Sequence, residues 1–457
     1  MEKVVFTGEF PVNAETLFAW HERPGAFERL NPPWAPVRIV SQDAGVKDGA
    51  RVRIKVPLGP IQIPWDLEHR GYVAGREFSD VQLRGPFSAW KHRHLVEATG
   101  AQSSRLTDAI EYAAPLGPLG KIANAVMIER DLKRVFKYRH EVLRNDLALL
   151  SRYPASRPLK VLISGASGLV GTSLAAFLGI AGHEVWKLVR RPASTEKKEI
   201  FWDPERGILD EASLEGFDAV INLSGENVAG ARWSAEFKQQ LLTSRTHTTS
   251  LLVERLSKSK SPPKTFLCAS AIGFYGSRGE ETLDESTPAG GGFLPEICVA
   301  WENAARQAEQ FGARVVTLRI GIVLSPRGGA LQKMLLPFLA GGGGVVGDGQ
   351  QFMSWISLDD VVGGFYHALM SDTVRGAVNL VAPRAANNLQ FTKTLGAVLK
   401  RPTIMPLPAV VVKTIFGEMG EALLLGSTRV VPSQLQATGY TFLYPELEAA
   451  LRHQLGR

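Results

Sequence analysis

The sequence predicts an α/β protein, a doubly wound parallel sheet preceded by an α+β domain built on antiparallel sheet. Two observations carry this reading. The hydrophobic pattern changes from strict alternation to continuous apolar runs near residue 155. A strand that runs into three spaced glycines and then a helix opens the second part. Between the two lies Tyr153-Pro154-Ala155-Ser156-Arg157-Pro158, which reads as a linker because its prolines hold the backbone extended and stop a helix.

In the first part, Asn13 is placed to cap a helix carrying Leu17 and Trp20 on one face, and Pro24-Gly25 to end it. Residues 51–56 and 105–112 alternate polar and apolar, as half-buried antiparallel strands do. Leu132, Phe136, Leu143, Leu147 and Leu150 then share one helical stripe. A curved sheet gripping one long helix satisfies these patterns together. Alternation also places Trp90, His92 and His94 on one strand face, and Leu106, Asp108, Ile110 and Tyr112 on one face of another. If both faces point into the grip, Trp90, His92, His94 and Asp108 line and polarise an otherwise apolar ligand cavity. Two histidines one residue apart, with no third ligand evident, argue against a metal.

After the break, apolar runs at 159–163, 184–189, 219–223, 265–269 and 315–320 alternate with helical stretches, the pattern of a parallel sheet covered on both faces. The first run leads into Gly165-Ala166-Ser167-Gly168-Leu169-Val170-Gly171. Gly165 permits a tight turn, Gly168 lets the backbone approach a pyrophosphate, and Gly171 lets helix and strand pack closely. Ser167 and the N–H groups of Gly168, Leu169 and Val170 would face the anion at the helix N-terminus. The pattern predicts a Rossmann dinucleotide site. A NAD site carries an acid at the end of the second strand, whereas this chain reads Leu188-Val189-Arg190-Arg191. Arg190 and Arg191 offer forked donors for a 2′-phosphate, so NADP (NADPH) is favoured over NAD. Leu223, Ser224 and Gly225 end the fourth strand against the adenine-side ribose; Ala269 and Ser270 end the fifth, facing the nicotinamide.

Composition narrows the class. The 457 residues suit two or three domains, and 45% hydrophobic content can build their cores. The only cysteines, Cys268 and Cys298, fit a reducing compartment without disulfides, hence a cytoplasmic location. The N-terminus lacks a leader pattern, and no apolar run approaches the ~18 residues of a membrane span. The most apolar stretch, 409–425, carries Lys413, Glu418 and Glu421 and reads as one amphipathic helix. The net charge of +7 is dispersed, without the basic stripe of a nucleic-acid binder. A small-molecule substrate is the expected partner, and nothing in the sequence assigns an oligomeric state.

These residues resemble the extended and atypical short-chain dehydrogenases/reductases, the NAD(P)-dependent epimerase/dehydratase superfamily. The sequence is similar in particular to a sugar-nucleotide-epimerase-like subfamily with its own C-terminal extension. The resemblance covers nearly all of 159–451. Its most specific parts are Arg232-Trp233 with Lys238 and Ser244-Arg245, Arg319-Ile320-Gly321-Ile322-Val323-Leu324-Ser325, Gly328-Gly329-Ala330-Leu331 and Trp355-Ile356-Ser357-Leu358-Asp359-Asp360, with tail segments Asn379-Leu380-Val381-Ala382-Pro383, Arg401-Pro402 and Pro406-Leu407-Pro408. More loosely, Asn31-Pro32-Pro33-Trp34, Trp90-Lys91-His92-Arg93-His94, Leu106-Thr107-Asp108 and Pro115-Leu116-Gly117 resemble the helix-grip SRPBCC superfamily of polyketide cyclase/dehydrase or START-like proteins. The resemblances imply a ligand-binding domain at 1–152, a linker at 153–158, a Rossmann domain at 159–403 and the extension at 404–457.

In the wider superfamily a Tyr-x-x-x-Lys pair supplies the proton, and no Tyr here has Lys four residues later. The remaining candidates are Ser270, Tyr275 and Glu302 for the proton, with Arg232 and Lys238 as anion holders; each also has an ordinary structural reading. Two functions stay open. One is an NADP(H)-dependent oxidoreductase or epimerase-like enzyme acting on a small carbonyl or hydroxyl compound, with an apolar ligand in the first domain. The other is a non-catalytic NADP(H)-binding regulator. A third possibility, a cyclase or hydratase in the first domain, depends on His92, His94 and Asp108 lining a real cavity.

Overall fold

The computed structural model describes the backbone of all residues except 59–60, 115–116 and 155–156, and the side chains of all but these, 58 and 117–126. Ala155 and Ser156 of the expected linker, and Pro115 and Leu116, therefore lie outside the described residues. The chain forms two compact units, Met1–Pro154 and a second whose main span is His183–Leu455.

The first unit is a seven-stranded antiparallel sheet. Its strands are β1 (Glu2–Phe10), β2 (Arg38–Gln42), β3 (Arg51–Leu58), β4 (Ile61–Val73), β5 (Glu77–Arg84), β6 (Ala89–Gly100) and β7 (Ser103–Ala113), in the order β1-β7-β6-β5-β4-β3-β2. Helix α1 (Ala14–Glu22) begins where the Asn13 side chain accepts the Thr16 N–H at 2.8 Å, and α2 (Ala26–Arg29) follows it. The long α3 (Gly117–Arg152) packs its apolar stripe on the sheet: Phe136 stacks on Phe6 at 4.6 Å, and Leu143 and Leu147 join Phe10, Val96 and Leu106 in one core. Period two in the strands and 3.6 in the helix meet on that face.

The second unit is a parallel sheet with helices on both faces. Its elements are β8 (Lys160–Ser164), α4 (Leu169–Ile180), β9 (Glu184–Val189), β10 (Glu199–Asp203), β11 (Ile208–Leu209), β12 (Ala219–Asn222), α5 (Ala235–Ser257), β13 (Thr265–Ala271), α6 (Phe293–Arg306), β15 (Arg314–Ile320), α8 (Leu358–Met370) and β19 (Gly376–Leu380). The strand order is β11-β10-β9-β8-β12-β13-β15-β19, parallel except for β11. The fold class expected from the sequence is the one observed. Leu162, Val220 and Phe266 share a core with Leu252 and Leu256 of α5 and Trp301 and Ala305 of α6. On the other face Phe177 of α4 meets Tyr366 of α8 edge to face at 5.0 Å.

Smaller elements complete this unit: β14 (Thr282–Leu283) beside β21 (Arg429–Val430), β16 (Ile322–Leu324) beside β18 (Trp355–Ser357), β17 (Phe352–Met353) beside β20 (Ala386–Asn387), and helices α7 (Gly329–Leu339), α9 (Asn388–Leu399), α10 (Ala409–Gly420), α11 (Ser433–Ala437) and α12 (Leu447–Leu455). The stretch 409–425 is not the single helix its composition suggests. It breaks at Gly417, which adopts φ 59° and ψ −143°, and ends in a wider turn over Glu421–Leu425. Glycine tolerates that backbone at little cost where another residue would not.

Asp360 ties the last segment of the chain to α8. Its carboxylate accepts the N–H groups of Leu443 (2.7 Å) and Tyr444 (3.0 Å) and the hydroxyls of Ser357 (2.8 Å) and Tyr440 (3.1 Å). Truncation strands four buried donors at once. Asp360→Ala should therefore lower stability by about 3 kcal/mol or more, read as a shift in the urea midpoint; a shift within the scatter of surface substitutions would contradict this role.

Candidate active site

Strands β8 and β12 are neighbours from which the chain winds outward in both directions, so their C-terminal ends form the switch-point crevice where open α/β sheets bind ligands. Three side chains lock the crevice floor. Ser164 donates to Asn222 Oδ1 at 2.5 Å, and Asn222 Nδ2 donates to Thr249 of α5 at 2.8 Å, joining β8, β12 and α5.

The turn after β8 is built by close approach. Gly165 has φ +69°, and a Cβ there would lie 2.7 Å from the Leu223 carbonyl. A Cβ on Gly171 would lie 2.2 Å from Gly165 O, whereas one on Gly168 would meet only that oxygen, at 3.3 Å. The Gly168 N–H donates to Gly165 O at 3.1 Å. This corrects the expectation that it stays open for an anion. The first-turn donors of α4 left without a helical acceptor are those of Leu169, Val170 and Gly171, with Ser167 exposed beside them. Ser224 is half-buried and Gly225 exposed on the loop after β12, next to Leu223.

At the end of β9 the two arginines differ. Arg191 forms a two-pronged pair with Glu199 of β10 at 2.6 and 2.8 Å, a carboxylate the sequence reading did not connect to it. Arg190 is exposed and forms no ion pair among the described residues. A free guanidinium is thus offered at one position.

Below the end of β13 the structure joins three proposed catalytic residues into one buried network. Ser270 donates to Glu302 Oε1 at 2.7 Å, Arg319 grips both Glu302 oxygens at 2.8 and 2.9 Å, and its third nitrogen reaches the Tyr275 hydroxyl at 2.9 Å. Tyr275 in turn donates to Asn379 Oδ1 at 2.7 Å. Ser270, Tyr275, Glu302 and Arg319 are all buried, as is Ala269 on the same strand. Burial holds the Tyr275 phenol above its ordinary range despite Arg319. That is the opposite of what a lysine four residues on would do. Arg319, which joins the group, came into view only through a sequence block, because its partners lie on three other segments.

A cleft of about 650 Å³ is bounded by the loop after β13 (Gly273, Gly276, Ser277), the start of α6 (Phe293, Leu294, Pro295) and the C-terminal segment (Lys413, Glu418, Thr428). Arg232 and Lys238 stand at its edge. Lys238 pairs with Glu418 and lies 4.9 Å from the Phe293 ring centre, and the Arg232 guanidinium abuts Gly417. Burial pushes both thiols, Cys268 and Cys298, up to about 12, so neither is a nucleophile here.

In the first unit, Trp90, His92, His94 and Asp108 are all buried. They do not stand alone. Asp80, His69 and His140 join them: His140 Nε2 lies 2.7 Å from Asp108 Oδ2, and His69 Nδ1 lies 2.7 Å from Asp80 Oδ1. Asp80, His92 and His94 each bring one potential ligand atom within 4.8 Å of the others. The expectation that no third ligand accompanies the two histidines is thereby corrected. Leu67 and His69 of β4 and Phe78 of β5 are buried and Asp80 is half-buried; the sequence reading pursued neither strand. Burial opposes charge on His94, yet Asp108 and Asp80 raise it to about 9, while burial and His94 lower His21 to about 4.

Two outcomes follow from this geometry. Glu302→Ala should cost about 3–5 kcal/mol, because it leaves Arg319 charged and buried without its partner; denaturant unfolding measures it, and a cost under about 1 kcal/mol would show that the pair is not the anchor. Iodoacetamide should label neither thiol in the native protein at neutral pH and both in denaturant, since only an exposed thiolate reacts; mass spectrometry reads the difference, and rapid native labelling would contradict the burial.

Residues 161–380 match the NAD dependent epimerase/dehydratase family, and 407–454 match a family described only as a domain of unknown function. An epimerase family protein of Mycobacterium tuberculosis is 43% identical over 298 residues, covering 65% of this chain and 98% of its own. The human epimerase family protein SDR39U1 is 38% identical over 297 residues, covering 64% of this chain and 99% of its own. Its structure, solved with NADPH, aligns with a TM-score of 0.60 at 37% identity, over 65% of this chain and 99% of that one. A crystal structure described as a nucleoside-diphosphate sugar epimerase from Corynebacterium glutamicum aligns over 99% of this chain and 90% of that one, with a TM-score of 0.82 at 32% identity. The glycine turn, the switch-point crevice and this extent of identity agree: the chain belongs to the NAD dependent epimerase/dehydratase family.

Proposed function

We propose that the second unit binds NADP(H) and serves an oxidoreductase or epimerase-like reaction on a small carbonyl or hydroxyl compound held in the cleft beside the loop after β13. The observation that carries this is the glycine turn at the switch point, where Leu169, Val170 and Gly171 present N–H groups at the positive end of α4. The NADPH in the human relative supports the phosphorylated dinucleotide. So does Arg190, free at the end of β9 where an NAD site would carry an acid. When bound, NADP(H) supplies the hydride donor or acceptor. The chain's own residues bind the phosphates, orient the substrate and handle the proton.

Ser270, Tyr275 and Glu302 are bonded to one another or to Arg319 and Asn379, so we assign them to shaping the nicotinamide end of the crevice. The edge cations Arg232 and Lys238 are the groups we assign to an anionic or oxygen-rich part of the substrate. The name of the Corynebacterium structure supports a sugar nucleotide as that substrate. The engagement of Tyr275 favours a second reading, an NADP(H)-binding regulator without turnover. For the first unit we propose a helix-grip, START-like ligand-binding domain, on the strength of its seven-stranded antiparallel sheet and long α3. No helix among the described residues is long and apolar enough to cross a membrane, and the two free thiols favour the cytoplasm.

Calorimetry on the full chain tests the cofactor. We expect one NADPH per chain, with NADH weaker by about tenfold or more, and Arg190→Ala lowering NADPH affinity about 10- to 100-fold with little effect on NADH. No binding of either nucleotide overturns the proposal. Incubation with NADPH and a panel of carbonyl compounds and nucleotide sugars separates the readings: substrate-dependent oxidation or product epimers establish the enzyme, and tight binding without either establishes the regulator.

A further inference from the structure

The first unit holds a cluster of imidazoles and carboxylates that the proposed cofactor chemistry does not use. Sheet register assembles it. Asp80 of β5 lies opposite both His69 of β4 and His92 of β6, and His94 lies opposite Asp108 of β7, all on the face that α3 covers. Asp80 Oδ2 is 3.5 Å from His92 Nδ1 and 3.2 Å from His94 Nε2. The His92 and His94 side chains are 3% and 8% exposed and that of Asp80 18%.

A second layer holds these groups. His92 turns its other nitrogen, Nε2, to Asp108 Oδ1 at 3.0 Å, and His140 secures Asp108 Oδ2. In a metal-bound imidazole one ring nitrogen faces the metal and the other donates to an outer carboxylate, the place Asp108 takes beside His92. His94 is fixed by stacking on Phe78 at 4.3 Å. His69 Nδ1 lies 2.7 Å from Asp80 Oδ1 and His94 Nδ1 lies 2.8 Å from Asp108 Oδ1, so each ring is braced by a carboxylate.

We propose that Asp80, His92 and His94 bind a divalent first-row transition cation, with Asp108 as the outer carboxylate that orients His92. Two imidazoles and one carboxylate suit zinc or iron(II) and leave coordination positions for water or a ligand, whereas calcium and magnesium require an oxygen shell. The site is independent of the nucleotide crevice and stands whether or not NADP(H) binds.

Full-length protein, treated with chelator and desalted, is titrated with Zn²⁺ by calorimetry and with Co²⁺ by visible absorption. The expected result is one equivalent of each, Zn²⁺ tighter than about 1 μM, and a cobalt d–d band that Zn²⁺ displaces. Asp80→Asn and His94→Gln should each weaken binding by about 100-fold or more, and Asp108→Asn by about 10- to 100-fold, while the exposed His247→Gln leaves it unchanged. If a cluster variant fails to fold, the unsubstituted protein still decides. A featureless cobalt spectrum with no Zn²⁺ uptake below about 100 μM overturns the proposal, and so does stoichiometric binding that persists unchanged in folded Asp80→Asn and His94→Gln.

Discussion

The second unit depends on how closely the turn after β8 approaches its surroundings. Gly165 lies against the Leu223 carbonyl and Gly171 against Gly165 O, at separations that admit no side chain. This contact fixes where α4 starts relative to the ends of β8 and β12, and thus where its unpaired N–H groups point. The Ser164–Asn222–Thr249 chain then holds the two strand ends and α5 in one geometry. An anion-binding terminus is a consequence of backbone packing, with side chains adding selectivity.

Around that constraint the site divides into a rigid floor and an adjustable rim. Its floor is the Arg319–Glu302 pair with Ser270, Tyr275 and Asn379, in which the charged partners are paired and hydrogen-bonded in a dry environment. Such a network holds its shape well, and burial keeps the Tyr275 phenol above its ordinary range. The rim is made of exposed or half-exposed charges on α5 and the kinked α10, Lys238 with Glu418 and Lys413 with Glu421. Asp360 secures the residues after α11 to the sheet through α8, so the C-terminal segment is part of the same unit as the crevice.

Much of this was legible in the sequence where the signal is local. Strand alternation, the long helix, the capping Asn13 and the glycine turn each follow from neighbours along the chain, and each stands where it was expected. Groups that meet across the sheet were not legible. Arg191 looked free until β10 brought Glu199 beside it, and Gly168 looked like an open donor until the turn closed on Gly165 O. Asp80 and His69 escaped notice because antiparallel register, which no local pattern specifies, sets them beside His92 and His94. The break at Gly417 was hidden for a different reason: composition reports amphipathicity and says nothing of one residue's φ.

The most direct measurement is amide hydrogen exchange across 165–173 with and without NADPH. If the helix start cradles the dinucleotide phosphates, the exchange of Leu169, Val170 and Gly171 slows when NADPH is added and less so with NADH, while the core of α5 is unaffected. Unchanged exchange at those three amides under saturating NADPH, or equal protection by both nucleotides, would contradict the account.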